Sequence, residues 1–250
     1  MQRHDEDTTY VAHCRSVGKR FTSTSADVVA LDDVTIGIRA GTFVAIAGPS
    51  GSGKSTLLSI LGCVDRATSG SVLVEGCDLE LLSRRQRRVL RRTSLSMILP
   101  QPSDNLFDRL EANENLAWIA KFRGLVDFDP LATLELFGIA GCRTKRVREM
   151  SGGEQQRLAL ACALVGDPLL VLADEPTASL DVANAQLVVA ALRAAVDRGA
   201  TLVAATHDPE VISAADSVVR LAHGHVVDRS TGDGDQHQVG EVNGGAAGRP

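Results

Sequence analysis

The segment GPSGSGKS, residues 48–55, places three glycines, a lysine and a serine at the spacing G-x-x-x-x-G-K-[ST]. It follows a short apolar run typical of a buried strand and precedes a segment with helical spacing. Such glycines let the backbone curl until successive N–H groups point at phosphate oxygens, and the helix N-terminus adds its positive dipole end. The phosphate-binding residues predicted here are Gly48, Pro49, Ser50, Gly51, Ser52, Gly53, Lys54, Ser55 and Thr56.

The lysine and the serine that end this motif indicate which phosphate compound it binds. Lys54 would reach the β- and γ-phosphates of a nucleotide, and the Ser55 hydroxyl would ligate Mg²⁺. The alternative is a glycine-rich turn between a strand and a helix that binds nothing. Because both residues are in register between the expected elements, the sequence favours a P-loop, which by itself allows kinases, GTPases, motors and transport ATPases.

A second motif, LLVLADEP, brings two acids to the end of an apolar run. Asp174 would hold the Mg²⁺ directly or through water, and Glu175 would project towards the phosphate. An adjacent acid suits hydrolysis, since Glu175 can polarise an attacking water, whereas a kinase would need the hydroxyl of a second substrate there. The alternative for this pair is a solvated strand end. Beside a P-loop, the sequence favours the catalytic interpretation.

Two further polar residues follow the acid pair. The segment TASLD places Asp181 in a loop, where we count it among the nucleotide-binding residues, and VAATHDPE ends an apolar run at His207. If that strand lies beside the strand of the P-loop, the imidazole can reach the γ-phosphate and act as its sensor. The alternative for His207 is a surface or core residue whose hydrogen bonds are satisfied and which takes no part in chemistry.

The segment MSGGEQQR carries a second pair of glycines at a helix start. Ser151, Gly152 and Gly153 would let a ligand approach the backbone closely and would offer donors to an anion. The chain already has a phosphate loop about a hundred residues earlier, and a second one cannot easily close on the same nucleotide. The simplest interpretation is that this segment binds the nucleotide of another subunit in a two-fold dimer with ATP in its interface.

The elements around these motifs alternate between strands and helices. Apolar runs at residues 42–48 and in LLVLADEP and TLVAATHDPE predict buried strands, and ANAQLVVAALRAAVDRG between the last two predicts a helix. This alternation of strand and helix is typical of a parallel sheet in an α/β fold. We expect residues 1–8 to be flexible and residues 229–250, which are rich in glycine and polar residues, to be disordered.

Composition excludes several classes of protein. With 250 residues and 44% hydrophobic residues the chain can build a sizeable core. A formal net charge of −5 argues against a protein that binds nucleic acid over its whole surface and leaves a local basic patch open. No apolar run approaches the roughly 20 residues of a membrane span, and the acidic start is not that of a secretory signal. Five cysteines without a CxxC pair predict reduced thiols rather than disulfides or a zinc site.

Taken together, the motifs GPSGSGKS, MSGGE, LLVLADEP, ASLD and THD resemble, in kind and order, those of ABC transporter ATP-binding subunits. Within this family the sequence is most similar to the ATPases of lipoprotein-release and macrolide-export systems. The resemblance covers about residues 9–228. It implies a P-loop NTPase core with a mainly parallel sheet, an N-terminal antiparallel β-subdomain and a helical subdomain inserted near residues 100–155.

Two more site residues come from the resemblance. Gln101 matches the glutamine that ligates Mg²⁺ and links the core to the helical subdomain, although the chain looks one residue longer around it. Phe21 matches the aromatic residue that stacks on adenine. The alternatives are a packing role for Phe21 in a first hairpin and Tyr10 as the stacking residue.

The resemblance also implies partners. We expect an integral membrane permease on a separate chain, a second ATP-binding subunit, most simply a homodimer, and a peripheral location on the cytoplasmic face of the cell membrane. Two alternatives remain: a soluble ABC ATPase that is not engaged in transport, and a regulatory module that holds ATP without turnover. Intact Lys54, Glu175 and His207 oppose the second.

Two surface segments carry further expectations. In this family Leu106, Phe107 and the apolar face at residues 116–119 lie in the segment that forms a groove for the permease, whereas Trp118 is expected in the core of the subdomain. The basic segment RRQRRVLRR is most simply a solvated helix face, and contact with anionic lipid is the alternative.

Overall fold

The computed structural model describes residues 10–22, 27–178 and 180–231. The expected flexible start at residues 1–8 and residues 232–250 of the expected tail lie outside this range. The strands are β1 Tyr10–Phe21, β2 Val28–Arg39, β3 Phe43–Ala47, β4 Ser69–Val74, β5 Cys77–Asp78, β6 Leu95–Ile98, β7 Leu170–Asp174, β8 Leu202–Thr206, β9 Ser217–Ala222 and β10 His225–Thr231. The α-helices are α1 Lys54–Leu61, α2 Arg84–Thr93, α3 Ala112–Arg123, α4 Pro130–Leu136, α5 Gly152–Leu164, α6 Val182–Asp197 and α7 Pro209–Ala214.

Two sheets organise these elements. The first has the strand order β2-β1-β4-β5 and is antiparallel, as predicted for the N-terminal subdomain. The second has the order β10-β9-β3-β8-β7-β6, and all its pairs are parallel except β9 with β10 at one edge. This confirms the predicted α/β class with a mainly parallel sheet. Strand β10 continues to Thr231, past the domain boundary expected at residue 228.

The three central strands bring the predicted site residues to one edge of the parallel sheet. Every residue of β3, β7 and β8 is buried, which explains their near-continuous apolar sequences, because helices cover both faces of such a sheet. Ala47 pairs with Thr206, and Asp174 pairs with Ala205. The loops that follow the three strands therefore meet at their carboxyl ends, where open α/β sheets bind ligands.

Helix α2 begins with a capping box and does not have the fully solvated basic face that was expected. Ser83 and Gln86 form a capping box at its start. Arg87, in contrast, is only 5% exposed, and its guanidinium donates to the backbone oxygens of Leu79 and Asp65. The expectation of a purely solvated face is wrong at Arg87, because its guanidinium finds backbone carbonyl acceptors in the segments before α2.

Helices α3, α4 and the start of α5 lie between β6 and β7, where the helical subdomain is predicted. No helix in the described part of the chain combines the length and apolar composition that a membrane crossing requires. All five cysteines are free thiols, as predicted.

Candidate active site

The loop between β3 and α1 has the backbone that its glycines predict. Gly51 and Gly53 have φ angles of +78° and +102°, in the left-handed region that favours glycine. A Cβ at Gly53 would collide with the backbone of Ala30 and come within 2.7 Å of the Leu31 side chain, whereas Gly51 faces open space. The buried Ser52 hydroxyl has no hydrogen-bond partner among the described residues. An open cradle with an unsatisfied donor fits an incoming phosphate group.

A cavity of about 450 Å³ lies over this loop. It is lined by residues 49–56 together with Glu175 and His207, so residues from three separate motifs meet as predicted. The other predicted site residues are not among its lining residues: Gly48, Asp174, Gln101, Phe21, Asp181 and residues 151–153.

The Lys54 ammonium group lies folded against the loop. It donates to the backbone oxygens of Gly48 at 2.8 Å and Pro49 at 3.2 Å, and it lies 3.7 Å from Glu175 Oε1. Its side chain is only 6% exposed. A buried ammonium held mainly by neutral carbonyl groups would gain strongly from phosphate oxygens as partners, because charge-assisted hydrogen bonds are the stronger ones.

Ser55 and Asp174 are joined by a hydrogen bond of 3.1 Å from Ser55 Oγ to Asp174 Oδ1. Burial raises the pKa of Asp174, and the nearby Glu175 carboxylate adds to the rise, while Ser55 and Lys54 oppose it. A hydroxyl and a carboxylate oxygen at this spacing are the ligands that Mg²⁺ prefers. The described residues contain no group of three or more His, Cys, Asp or Glu side chains that could hold a metal ion.

Glu175 is fixed by both of its carboxylate oxygens. Oε1 is 3.0 Å from His207 Nδ1, and Oε2 accepts a hydrogen bond of 3.3 Å from the Thr206 hydroxyl. Its backbone has a φ of +46°, a strained value for a residue with a side chain. Non-glycine residues in such conformations are frequent at active sites, where the surrounding contacts hold them in place.

His207 occupies the position predicted for it, directly after β8 and beside the P-loop strand. Its side chain is 75% exposed, and in this structure its described partner is Glu175. Thr206 and Asp208, on either side of it, hold the site together, a role that the sequence pattern did not predict. The Thr206 hydroxyl accepts from the Asp208 backbone, and the Asp208 carboxylate accepts a hydrogen bond of 2.6 Å from Thr177. The only signal was a threonine at the end of an apolar strand.

Asp181 begins α6 rather than facing the cavity. Its carboxylate accepts hydrogen bonds of 2.8 Å from both the backbone and the side-chain amide of Asn184, and these bonds lower its pKa. The role of Asp181 towards a nucleotide stays a prediction.

Gln101 and Phe21 are both exposed, outside the cavity. Gln101 follows β6, and its backbone oxygen accepts from the Asn105 amide. Phe21 ends β1 with the Lys19 ammonium 4.8 Å from its ring centroid. Tyr10 lies at the opposite end of this twelve-residue strand, packed over Gly37. The adenine and Mg²⁺ roles of Phe21 and Gln101 stay predictions, and the position of Tyr10 disfavours it as a substitute.

Ser151 caps α5 in a reciprocal arrangement with Glu154. The Ser151 hydroxyl accepts from the Glu154 backbone, and the Glu154 carboxylate accepts from the Ser151 backbone. The Cys142 thiol and the Lys145 ammonium also contact Glu154 Oε1, at 3.0 and 3.4 Å. The Cys142 and Ser151 hydrogen bonds, with the Lys145 charge, lower the pKa of Glu154 to about 2. Ser151 and Gly152 are exposed, so the helix start is open to a ligand.

The two glycines that follow Ser151 serve different purposes. A Cβ at Gly153 would lie 2.9 Å from Asn184 Cβ and closer still to the Asn184 amide, whereas Gly152 meets only Leu180 at 3.9 Å. Gly153 therefore permits close packing of α5 against the start of α6, and only Gly152 leaves space for a ligand.

Gly153→Ala should lower the free energy of unfolding by about 1–3 kcal/mol, the usual cost of overpacking. The reason is that Asn184 must move and give up its bond to Asp181. Gly152→Ala is the matched control, and it should leave stability unchanged or raise it by up to about 1 kcal/mol, the helix preference of alanine over glycine. Urea denaturation of both variants measures this, and equal stabilities would contradict the close contact.

The P-loop follows β3, the acid pair stands at the end of β7, and the histidine follows β8, which lies between these two strands. This arrangement defines a P-loop nucleoside triphosphatase. The sequence profile described as "ABC transporter" matches residues 31–178. The chain therefore belongs to the ABC transporter family and is one of its ATP-binding cassettes, an ATPase subunit.

Relatives of known name agree with this. The macrolide export ATP-binding/permease protein of Rhodospirillum rubrum is 39% identical over 234 residues, which cover 91% of this chain and 36% of that protein. This chain thus spans about a third of the length of that relative. The uncharacterised ABC transporter ATP-binding protein YknY of Bacillus subtilis is 35% identical over 215 residues, covering 84% of this chain and 91% of that one.

Among solved structures, a dimeric post-hydrolysis state of the ATP-binding cassette MJ0796, bound to ADP and Pi, superposes with a TM-score of 0.80. It is 30% identical and covers 88% of this chain and 98% of that chain. The cbiO1 protein of Clostridium perfringens, part of the transporter complex cbiONQ, has a TM-score of 0.79 at 25% identity and covers 89% of each chain.

Proposed function

We propose that this chain hydrolyses ATP with Mg²⁺ as one of two identical cassettes that close on each other and energise a separate permease at the cytoplasmic face of the membrane. The observation that carries the proposal is the composition of the cavity. It contains the P-loop, Glu175 and His207, but not the open helix start at Ser151 and Gly152. One chain thus offers two phosphate-binding elements, and only one of them lines its own cavity.

The P-loop, the acid pair and His207 have distinct tasks in the proposed hydrolysis. The loop amides and Lys54 bind the phosphate oxygens, and Ser55 and Asp174 would hold Mg²⁺, which supplies positive charge that offsets the charge of the phosphates. Glu175, fixed by Thr206 and His207, accepts a proton from the attacking water. His207 keeps the carboxylate in position, and its exposed ring is free to meet the γ-phosphate.

A second cassette completes the site. The Ser151 hydroxyl, the Gly152 backbone and the positive end of α5 would approach the γ-phosphate held by the partner chain. Such an arrangement is isologous, so two copies of the chain bind two nucleotides in one interface. The similar cassette MJ0796 forms a dimer with ADP and Pi, which supports this proposal.

An exposed aromatic surface supports a membrane partner. Phe107, Trp118 and Phe122, here called the aromatic patch, are 43%, 45% and 49% exposed. The Trp118 ring centroid lies 4.7 Å from that of Phe107 and 5.5 Å from that of Phe122. Contiguous exposed aromatic groups of this kind mark protein interaction sites. Beside the patch lies a groove of about 460 Å³ lined in part by Ile119 and Phe122.

The aromatic patch corrects two expectations about this segment. Trp118, expected in the core, is exposed, whereas Leu106 and Leu116, expected on the partner surface, are 8% and 0% exposed. The inner face of α3 is formed instead by Ala112, Leu116 and Ala120 at a spacing of four residues, so Trp118 lies outside it. The relatives described above are named as transporter proteins and give no support to a soluble ABC ATPase.

Phe107→Asp combined with Phe122→Asp should abolish binding to the permease and leave the ATPase activity of the isolated chain unchanged, because neither side chain lines the nucleotide cavity. Leu106 is left intact because its burial would make an acid there destabilising. The tagged chain is recovered from detergent-solubilised host membranes, and bound integral membrane proteins are identified by mass spectrometry.

Leu136→Asp combined with Val227→Asp serves as the matched control, since both residues are exposed and apolar but lie outside the patch. We expect one integral membrane protein with the wild type and the control, and none with the patch variant. Equal recovery with both variants, or no integral membrane protein with the wild type, would contradict the proposal.

A further inference from the structure

One side of α2 carries four exposed arginines that the proposed reaction does not use. They are Arg84, Arg85, Arg88 and Arg92, here called the basic stripe. Their spacings of three and four residues place them along one side of the helix, over about 12 Å. Within residues 10–22, 27–178 and 180–231, none of the four forms an ion pair with an acidic side chain, although the chain as a whole has a net charge of −5.

The other arginines of α2 behave differently. Arg87 donates to the backbone of Leu79 and Asp65 and contacts the Glu80 carboxylate, and Arg91 donates to the Cys63 carbonyl at 2.7 Å. These two arginines attach the helix to the core. The packing of α2 thus fixes the direction in which the basic stripe faces and needs none of its four charges.

The basic stripe is unfavourable for α2 taken alone. Arg84 and Arg88, and Arg88 and Arg92, are like charges four residues apart, which repel each other. Arg84 and Arg85 also stand in the first turn, which contains no acidic residue, so they face the positive end of the helix dipole. A surface with negative charge would relieve both repulsions.

Apolar side chains stand beside the basic stripe. Leu81, just before the helix, is 83% exposed, and Val89 on α2 is 47% exposed. Exposed apolar groups among cationic ones are typical of helices that lie at a bilayer interface, where the charges meet head groups and the apolar groups enter the boundary region.

Helix α2 is also close to the aromatic patch, on the side of Arg91 rather than on that of the basic stripe. A small depression beside α2 is lined by Arg91, Val64 and Arg123, and the groove that reaches Phe122 is lined by the same Val64 and Arg123. A permease bound at the patch would therefore hold the neighbouring α2 close to the membrane that surrounds the permease.

We propose that the basic stripe on α2 binds the anionic phospholipid head groups of the membrane surface beside the permease. This inference rests on the proposed function, because it requires the chain to work at a membrane. A lipid surface fits better than an acidic peptide, since the stripe lies on a convex helix and its residues do not line the nearby depression. Each arginine near an anionic surface strengthens binding by about fivefold.

The test is sedimentation of the full chain with phosphatidylcholine vesicles that contain or lack phosphatidylglycerol. The stripe variant carries Arg84→Gln, Arg85→Gln, Arg88→Gln and Arg92→Gln, because glutamine keeps the helix preference and removes the charge. The matched control removes the same number of exposed charges elsewhere, and it carries Arg39→Gln, Arg109→Gln, Arg148→Gln and Arg198→Gln. The ATPase activity of each variant shows that it is folded.

We expect the wild type and the control to bind only the vesicles with phosphatidylglycerol, and less strongly as salt rises. The stripe variant should bind them at least about tenfold more weakly, at normal ATPase activity. Equal binding by both variants, or binding that does not depend on phosphatidylglycerol, would overturn the proposal. A stripe variant that still binds the vesicles but no longer recovers the permease from detergent-solubilised membranes would also overturn the proposal. The stripe would then bind an acidic protein surface. None of these outcomes affects the ATPase or the aromatic-patch result, so the two proposals fail separately.

Discussion

Lys54→Ala is expected to remove ATP turnover while the chain stays folded. The ammonium group is buried in the loop and held mainly by two backbone carbonyl groups, so phosphate oxygens are its natural charged partners. Losing a charge-assisted contact of about 1.5–3 kcal/mol should weaken ATP binding by about tenfold to a hundredfold. Turnover should fall by a further factor of about 10²–10³, because the same charge stabilises the transition state.

Lys121→Ala is the matched control, since Lys121 is an exposed lysine on α3 outside the cavity. Calorimetric titration with ATP and a phosphate-release assay measure the two effects, and a thermal melt shows that both variants are folded. Near-normal hydrolysis by Lys54→Ala would contradict the assignment of the P-loop.

Glu175→Gln is expected to bind ATP normally and to hydrolyse it about 10²–10⁴-fold more slowly, the usual contribution of a general base. Glutamine has the size of glutamate and can keep hydrogen bonds to Thr206 and His207, but it has no basicity. The site should therefore keep its shape and lose only the proton acceptor. Single-turnover assays with radiolabelled ATP separate binding from cleavage, and wild-type cleavage would assign the proton transfer to another group.

The sequence predicted the centre of this molecule well for a physical reason. Strands β3, β7 and β8 are buried on both faces, so their apolar runs are unambiguous, and the loop residues after them must meet at the carboxyl edge of a parallel sheet. Lys54, Asp174, Glu175 and His207 could be placed together on that basis alone.

The errors concern side chains whose burial depends on packing between distant segments. Trp118 has the size and apolarity of a core residue, yet the inner face of α3 is filled by smaller side chains. Arg87 has the charge of a surface residue, yet the backbone carbonyl groups of Leu79 and Asp65 give its buried guanidinium hydrogen-bond partners. The need for Gly153 follows from Asn184, thirty-one residues later, and local spacing does not contain that contact.

The central claim is that Ser151 and Gly152 bind the nucleotide of a second subunit, and the mass of Glu175→Gln in solution tests it most directly. By light scattering this variant should be a dimer with ATP and a monomer with ADP, because ADP lacks the γ-phosphate that joins the subunits. Adding Ser151→Arg places bulk and charge at the open start of α5, outside the P-loop cavity, and should return the variant to a monomer that still binds ATP. A dimer with ATP that survives the Ser151→Arg change would contradict the account.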